Sequence, residues 1–207
     1  MDETDDAHVP PPFHRRFDPA NGRFLSRRTT LEMRAPPAEA PPVPPPAVAL
    51  RRWQAPALEE YLALFRRVGT PWLWYGRLQW PNHRIAGYLA AQTTEILRLW
   101  VDGEVSGFIE LDRSEPGSVE IAYCGLAPGH TGRGLGGLLL RGGLEHAWQS
   151  NVRRVWLHTC TEDHPRALDV YQRVGFEVCD VCEEWIDDPR LRGLLPRDAG
   201  PHVPLLG

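Results

Sequence analysis

Four glycines, Gly132, Gly134, Gly136 and Gly137, fall between a β-like segment ending at Leu126 and an apolar helical pattern running through Leu138, Leu139, Leu140, Leu144 and Trp148. Glycine permits positive φ and lets a ligand approach the backbone, while the free N–H groups and dipole of a helix start favour phosphate oxygens. A pyrophosphate is the natural guest, although the same glycines suit a connection that binds nothing. The chain holds 23 Arg and no Lys, so the loop is not a Walker loop, which needs Gly-Lys-Ser/Thr. Gly132, Gly134 and Gly137 do satisfy G-x-G-x-x-G. A dinucleotide fold, however, places that loop after its first strand with several βαβ units behind it, and roughly 50 residues of expected structure remain here. Cys179-x-x-Cys182 offers two of the four ligands a zinc site needs, and a regular strand would point the two thiols to opposite faces, so we expect thiols and no metal.

The elements that must position this loop follow from periodicity. A strand at Val48 to Trp53 precedes a helix carrying Leu58, Tyr61, Leu62, Phe65 and Val68 at helical spacing and stopping at Gly69. Asn82 is a candidate cap for a second helix to about Ala90. Glu95 to Val101, Glu104 to Leu111 and Val119 to Leu126 read as strands, the first two joined by Asp102-Gly103, a strong hairpin signal. The post-glycine helix is expected to reach about Ser150, followed by a strand at Arg154 to Thr159, a helix from His164 to Val174 stopped by Gly175, and a final strand from Glu177 to Trp185. The order β-α-α-β-β-β-α-β-α-β predicts an α+β fold: a mixed, mainly antiparallel central sheet with helices on both faces.

Eleven of the 21 prolines lie in residues 1–50. We therefore expect residues 1–28 to be a disordered arm, 29–47 a short strand (Thr29 to Arg34) plus a Pro-rich linker, 48–185 the one packed domain, and 186–207 a tail. The short strand and the last strand are candidates for pairing across a homodimer. Net charge is −4, and no segment has the basic excess of a nonspecific nucleic-acid binder, so no nucleic-acid partner is expected. Apolar runs are too short for a membrane span, and the acidic start MDETDDAHVPPP is unlike a secretory signal, which leaves the cytoplasm as the expected location.

Two segments carry a resemblance to the GNAT superfamily of N-acetyltransferases. VEIAYCGLAP followed by Thr131-Gly132-Arg133-Gly134-Leu135-Gly136 is similar to that family's fourth strand and its Arg/Gln-x-x-Gly-x-Gly/Ala coenzyme loop. DHPRALDVYQRVGF resembles the Asn-Pro-x-Ala-x-x-x-Tyr-x-x-x-Gly-Phe segment that closes the coenzyme site. Thr131 stands where Arg or Gln is usual and His164 where Asn is common. The resemblance spans about Val48 to Trp185 and implies the acyl-CoA N-acyltransferase fold, with acetyl-CoA as cosubstrate and a small-molecule primary amine as acceptor. It also implies a coenzyme site made of Leu126, Ala127, Thr131, Gly132, Arg133, Gly134, Leu135, Gly136, Gly137, His164 and Ala167. A noncatalytic acyl-CoA-binding or regulatory module on the same scaffold is the alternative, and a small dinucleotide-binding domain is a further one.

Acetyl transfer needs a base for the ammonium, donors for the oxyanion and an acid for the thiolate. The resemblance implies a strand parted from its neighbour by a bulge, with the Leu126 amide as oxyanion donor. Glu120 is the expected base, six residues before Leu126 and so on its face if the strand is regular, and Glu110 is the alternative. Tyr171, two turns past His164, is the expected acid. Trp72, Trp74, Tyr75 and Trp80 are expected either to fill the core or to wall the acceptor site, with Arg77 and Arg84 either meeting a substrate carboxylate or solvated. His158 and Cys160, at a strand end, either pack or reach that site.

Overall fold

The computed structural model describes residues 13–39, 42–149 and 151–206. The acidic start at 1–12, expected to be part of the arm, and the expected helix limit at Ser150 lie outside the described residues. The strands are β1 (Phe17–Asp18), β2 (Arg23–Met33), β3 (Val48–Arg52), β4 (Thr94–Val101), β5 (Glu104–Asp112), β6 (Ser118–Leu126), β7 (Arg154–Cys160) and β8 (Glu177–Asp187). The helices are α1 (Leu58–Gly69), α2 (Asn82–Ala90), α3 (Leu135–Ala147) and α4 (Ala167–Val174). One sheet runs in the order β1-β2-β7-β6-β5-β4-β3, with β8 also paired to β2. Only β6 and β7 are parallel among these pairs, because α3 carries the chain across between them.

Strand alternation sorts the core onto two faces. On β5, Phe108 packs with Tyr61, Phe65 and Val68 of α1, while Ile109 packs with Leu139, Leu140 and Leu144 of α3. α3 lies close to the sheet because Gly143 has no side chain; a Cβ there would stand 2.3 Å from Ile109 Cδ1. The β4–β5 hairpin turns through Asp102 (φ 52°) and Gly103 (φ 85°), the left-handed pair expected of a two-residue turn.

Three expectations are corrected. β2 begins at Arg23, six residues before Thr29, so this part of the supposed arm is a strand inside the sheet. Its arginines obscured the alternation, and they are matched across the β2–β8 ladder: Arg23 to Asp187 at 2.8 Å, Arg27 to Glu183 at 2.7 Å and Arg28 to Glu184 at 3.8 Å. That ladder also uses, within one chain, the strand pairing that had suggested a homodimer. The tail packs too: Leu195, Ala199 and Val203 are buried with Phe24 and Leu73. Buried Arg190 holds it by an ion pair to Asp188 at 2.7 Å and hydrogen bonds to the carbonyls of Ala199 and Val203. Asn82 does not cap α2; it is the first helical residue, after Pro81.

Candidate active site

The site is made by a fault in the sheet. β6 and β7 pair only from Ser118–Arg154 to Glu120–Trp156, and beyond that the strands have no ladder. On its other edge β6 stays paired to β5 through a bulge at Ala122, since Leu111 faces Ile121 and Glu110 faces Tyr123. The Ala127 amide donates to Ser106 O at 2.8 Å. Antiparallel alternation from that bond aims the amides of Leu126 and Cys124 away from β5 and into the wedge.

The wedge opens into a cavity of about 930 Å³. At one end stands the turn before α3, with Gly129, Gly132 and Gly134 all at positive φ (84°, 78° and 75°). Such a run of positive-φ glycines ahead of a 13-residue helix is backbone of the kind that suits an anion. Thr131, Gly132, Gly134, Gly136 and Gly137 line the cavity. The other three loop expectations fall elsewhere. Arg133 is exposed and off the cavity wall, Leu135 is buried in the core under α3, and Ala127 is buried on the α1 face with its N–H already used.

Tyr171 lies on the cavity wall with Leu126, Cys124 and Leu139. Burial pushes its phenol well above the ordinary range, and Cys124 and Asp163 add to the effect. The Cys124 thiol is likewise pushed up to about 12 by burial and stays protonated. His164 and Ala167 also face the cavity; His164 Nδ1 accepts from the Arg166 amide at 3.1 Å, and its ring meets Trp72 edge-on at 5.1 Å.

The bulge overturns one inference. Glu120 and Leu126 are six apart, but the extra residue at Ala122 reverses the parity, so their side chains point to opposite faces. Glu120 shares the α1 face with Glu110 and Tyr123. Burial raises its carboxyl above the usual range, with Asp112 and Glu110 adding to this and Arg77 opposing. It is not on the cavity wall; its neighbour His158 is, with Nδ1 4.0 Å from Glu120 Oε1. Glu110 is fully buried and engaged: Oε1 accepts from Arg77 at 2.5 Å and Oε2 from the Tyr61 hydroxyl at 2.7 Å. Arg77 in turn sits among Trp80, Tyr88 and Tyr123, at 4.2, 4.4 and 5.1 Å from the ring centres. Arg77 and Glu110 thus engage each other off the cavity wall, and Trp80 belongs to that cage, with Arg84 over its ring at 3.9 Å.

Trp72, Trp74 and Tyr75 do line the cavity, beside Gln79, Arg28 and Glu184. Asp163, absent from the sequence expectations, fixes this end: it accepts from Trp74 Nε1 at 2.9 Å, Thr159 Oγ1 at 2.8 Å and the Cys160 amide at 2.8 Å. No periodicity signals a bond across 89 positions. Cys179 occupies a bulge in β8, between the Asp180–Thr30 and Val178–Leu31 pairs, and among the described residues no group of three or more His, Cys, Asp or Glu is arranged to hold a metal.

Comparison with known proteins bears on the family and the fold. Residues 49–176 match the acetyltransferase (GNAT) family profile. A mycothiol acetyltransferase from Corynebacterium glutamicum (strain R) is 34% identical over 104 residues, 49% of this chain and 35% of that protein. A streptothricin acetyltransferase from Streptomyces lavendulae is 29% identical over 92 residues, 44% of this chain and 48% of that protein. The match thus spans a third to a half of these relatives' length. A GCN5-related N-acetyltransferase from Kribbella flavida shares the fold at TM-score 0.55 and 19% identity, over 84% of this chain and 63% of that one. An aminoglycoside acetyltransferase from a soil metagenomic sample, in complex with sisomicin, does so at TM-score 0.51 and 13% identity, over 62% of this chain and 88% of that one. With the family profile covering more than half its length, the chain belongs to the GNAT family of acetyltransferases.

Proposed function

We propose that this chain moves an acetyl group from acetyl-CoA to the primary amine of a small-molecule acceptor by direct attack on the thioester. One observation carries the reading: the parted β6 and β7 strands leave the Leu126 amide facing a cavity that runs from the glycine turn to Tyr171. The amides of the glycine turn would hold the pyrophosphate, and the wedge would take the pantetheine arm. The Leu126 N–H is the donor for the thioester oxygen as it gains charge. Tyr171, kept protonated by burial, gives its proton to the departing sulfur. Glu120, held up by burial, is the eventual acceptor of the amine's proton.

Relatives named for mycothiol and streptothricin, and a structural neighbour named for aminoglycosides, support a small-molecule acceptor. The aromatic and polar residues at the far end of the cavity, Trp72, Tyr75, Gln79 and Glu184, suit a polar amine. A cytoplasmic setting, which keeps the four thiols reduced, belongs to the same proposal. The test has two steps. Calorimetry should detect binding of acetyl-CoA and not of NAD, and thiol release from acetyl-CoA should then be accelerated by members of an amine panel. Binding without release for any amine would instead support a noncatalytic coenzyme-binding module.

A further inference from the structure

Glu120 is beside the cavity and does not line it, so an amine held in the cavity meets His158 first. His158 bridges that gap. It lies on β7 two residues beyond the last β6–β7 pair, where the wedge opens, and it lines the cavity. Its side chain is 39% exposed and that of Glu120 27% exposed. Nδ1 is turned to Glu120 Oε1 at 4.0 Å, which leaves Nε2 as the nitrogen available to a ligand.

We propose that His158 is the catalytic residue that meets the acceptor amine, and that Glu120 behind it is a positioning residue that orients the imidazole and takes the proton onward. The proposal rests on the acetyl-transfer reading above and supplies its missing step. The acceptor ammonium gives one proton to His158 Nε2, and the imidazole releases its Nδ1 proton toward Glu120 and solvent. The free amine attacks the thioester carbonyl, the C–N bond forms, and the C–S bond then breaks. Tyr171 protonates the thiolate, and the second proton shed by the new amide nitrogen replaces the one Tyr171 gave. One proton leaves overall.

The surroundings suit a base that works unprotonated. Glu120 of β6, Arg28 of β2, Glu184 of β8 and Asp163 of the β7–α4 connection are the charged groups around the ring. Burial and Arg28 lower the affinity of His158 for a proton, and Asp163 and Glu184 only partly offset them. The imidazole is therefore neutral at neutral pH, and acidification removes its basicity. The 4.0 Å approach to Glu120 is about 1 Å longer than a hydrogen bond, and such contacts tighten when substrate binds.

The test uses the full chain with His158→Gln and Glu120→Gln, acetyl-CoA and the fastest amine of the panel, from about pH 5 to about pH 9. His158→Gln should lower kcat/KM for the amine about 10²–10³-fold, abolish the acid limb of the profile and leave KM for acetyl-CoA unchanged. Glu120→Gln should cost about 10-fold and move the acid limb to lower pH, because loss of the carboxylate disfavours imidazolium. A nitrogen-resolved NMR titration of the His158 ring should show its midpoint falling in Glu120→Gln, a readout that requires neither turnover nor a folded His158 variant. A midpoint that does not move, or a His158→Gln enzyme with the wild-type profile, overturns the proposal alone. A wild-type chain that binds acetyl-CoA and acetylates no amine overturns it together with the transferase reading.

Discussion

Replacing Tyr171 by Phe removes one oxygen from the cavity wall and leaves the packing intact. The ring keeps its edge-on contact with Phe176, whose centre is 6.2 Å away. Among the described residues none hydrogen-bonds the Tyr171 hydroxyl, so the substitution strands no buried partner, and a stability change within about 0.5 kcal/mol is expected. Catalysis should behave differently. A positioned proton donor contributes typically about 10²–10⁴-fold, equivalent to about 3–5 kcal/mol of barrier. The loss should fall on kcat, with calorimetric affinity for acetyl-CoA unchanged. Because burial pushes the phenol well above its ordinary range, the wild-type enzyme should show no basic limb from this group between about pH 7 and about pH 9. The assay is thiol release under saturating acetyl-CoA, read beside a urea melt of the same preparations. Wild-type kcat in Tyr171→Phe, or a loss of rate matched by a loss of stability, would refute the assignment.

Three further outcomes follow from the packing. Arg77→Met leaves the buried Glu110 carboxylate without its cation and should destabilise the fold by about 3–5 kcal/mol; adding Glu110→Gln should recover part of this in urea unfolding. Gly143→Ala drives a methyl group to 2.3 Å from Ile109 Cδ1 and should cost about 1–3 kcal/mol, with Ile109→Val restoring part of the loss. The Glu120 carboxyl is raised above its unfolded value, so its ionisation opposes folding at neutral pH and has no effect below the unfolded pKa of about 4.3. Glu120→Gln should therefore raise Tm at pH 7 or so and leave it unchanged near pH 4, as scanning calorimetry can check.

The sequence disclosed those parts of the fold whose signals are local. The Asp102-Gly103 turn, the α1 stripe from Leu58 to Val68 and the glycine turn before α3 each announce themselves within a dozen residues. β2 did not, because its pattern is interrupted by arginines whose partners, Asp187, Glu183 and Glu184, are over 150 positions away. The tail was missed for the same reason, since Leu195, Ala199 and Val203 become core only against Phe24 and Leu73. Within the site, the loop glycines were legible from their place between a strand and a helix, and the cavity positions of Tyr171 and His164 from the family resemblance of DHPRALDVYQRVGF. The parity between Glu120 and Leu126 was not, because nothing around Ala122 marks a bulge that only the partner strand defines.

The short β6–β7 ladder has a mechanical meaning. Three residue pairs join a four-strand block, β3 to β6, to a second block of β7, β2, β1 and β8, so the sheet is two leaves stapled at one end. An elongated ligand whose amides bridged the open side would act as an extra strand and bind the leaves together. Its binding energy would then appear as resistance to unfolding, rising as RT ln(1 + [L]/Kd), about 2.7 kcal/mol at a hundredfold excess over Kd. Amides flanking the wedge should exchange with solvent more slowly as the ligand is added, while those of the edge strand β3, three strands from β6 in the sheet order, should be indifferent.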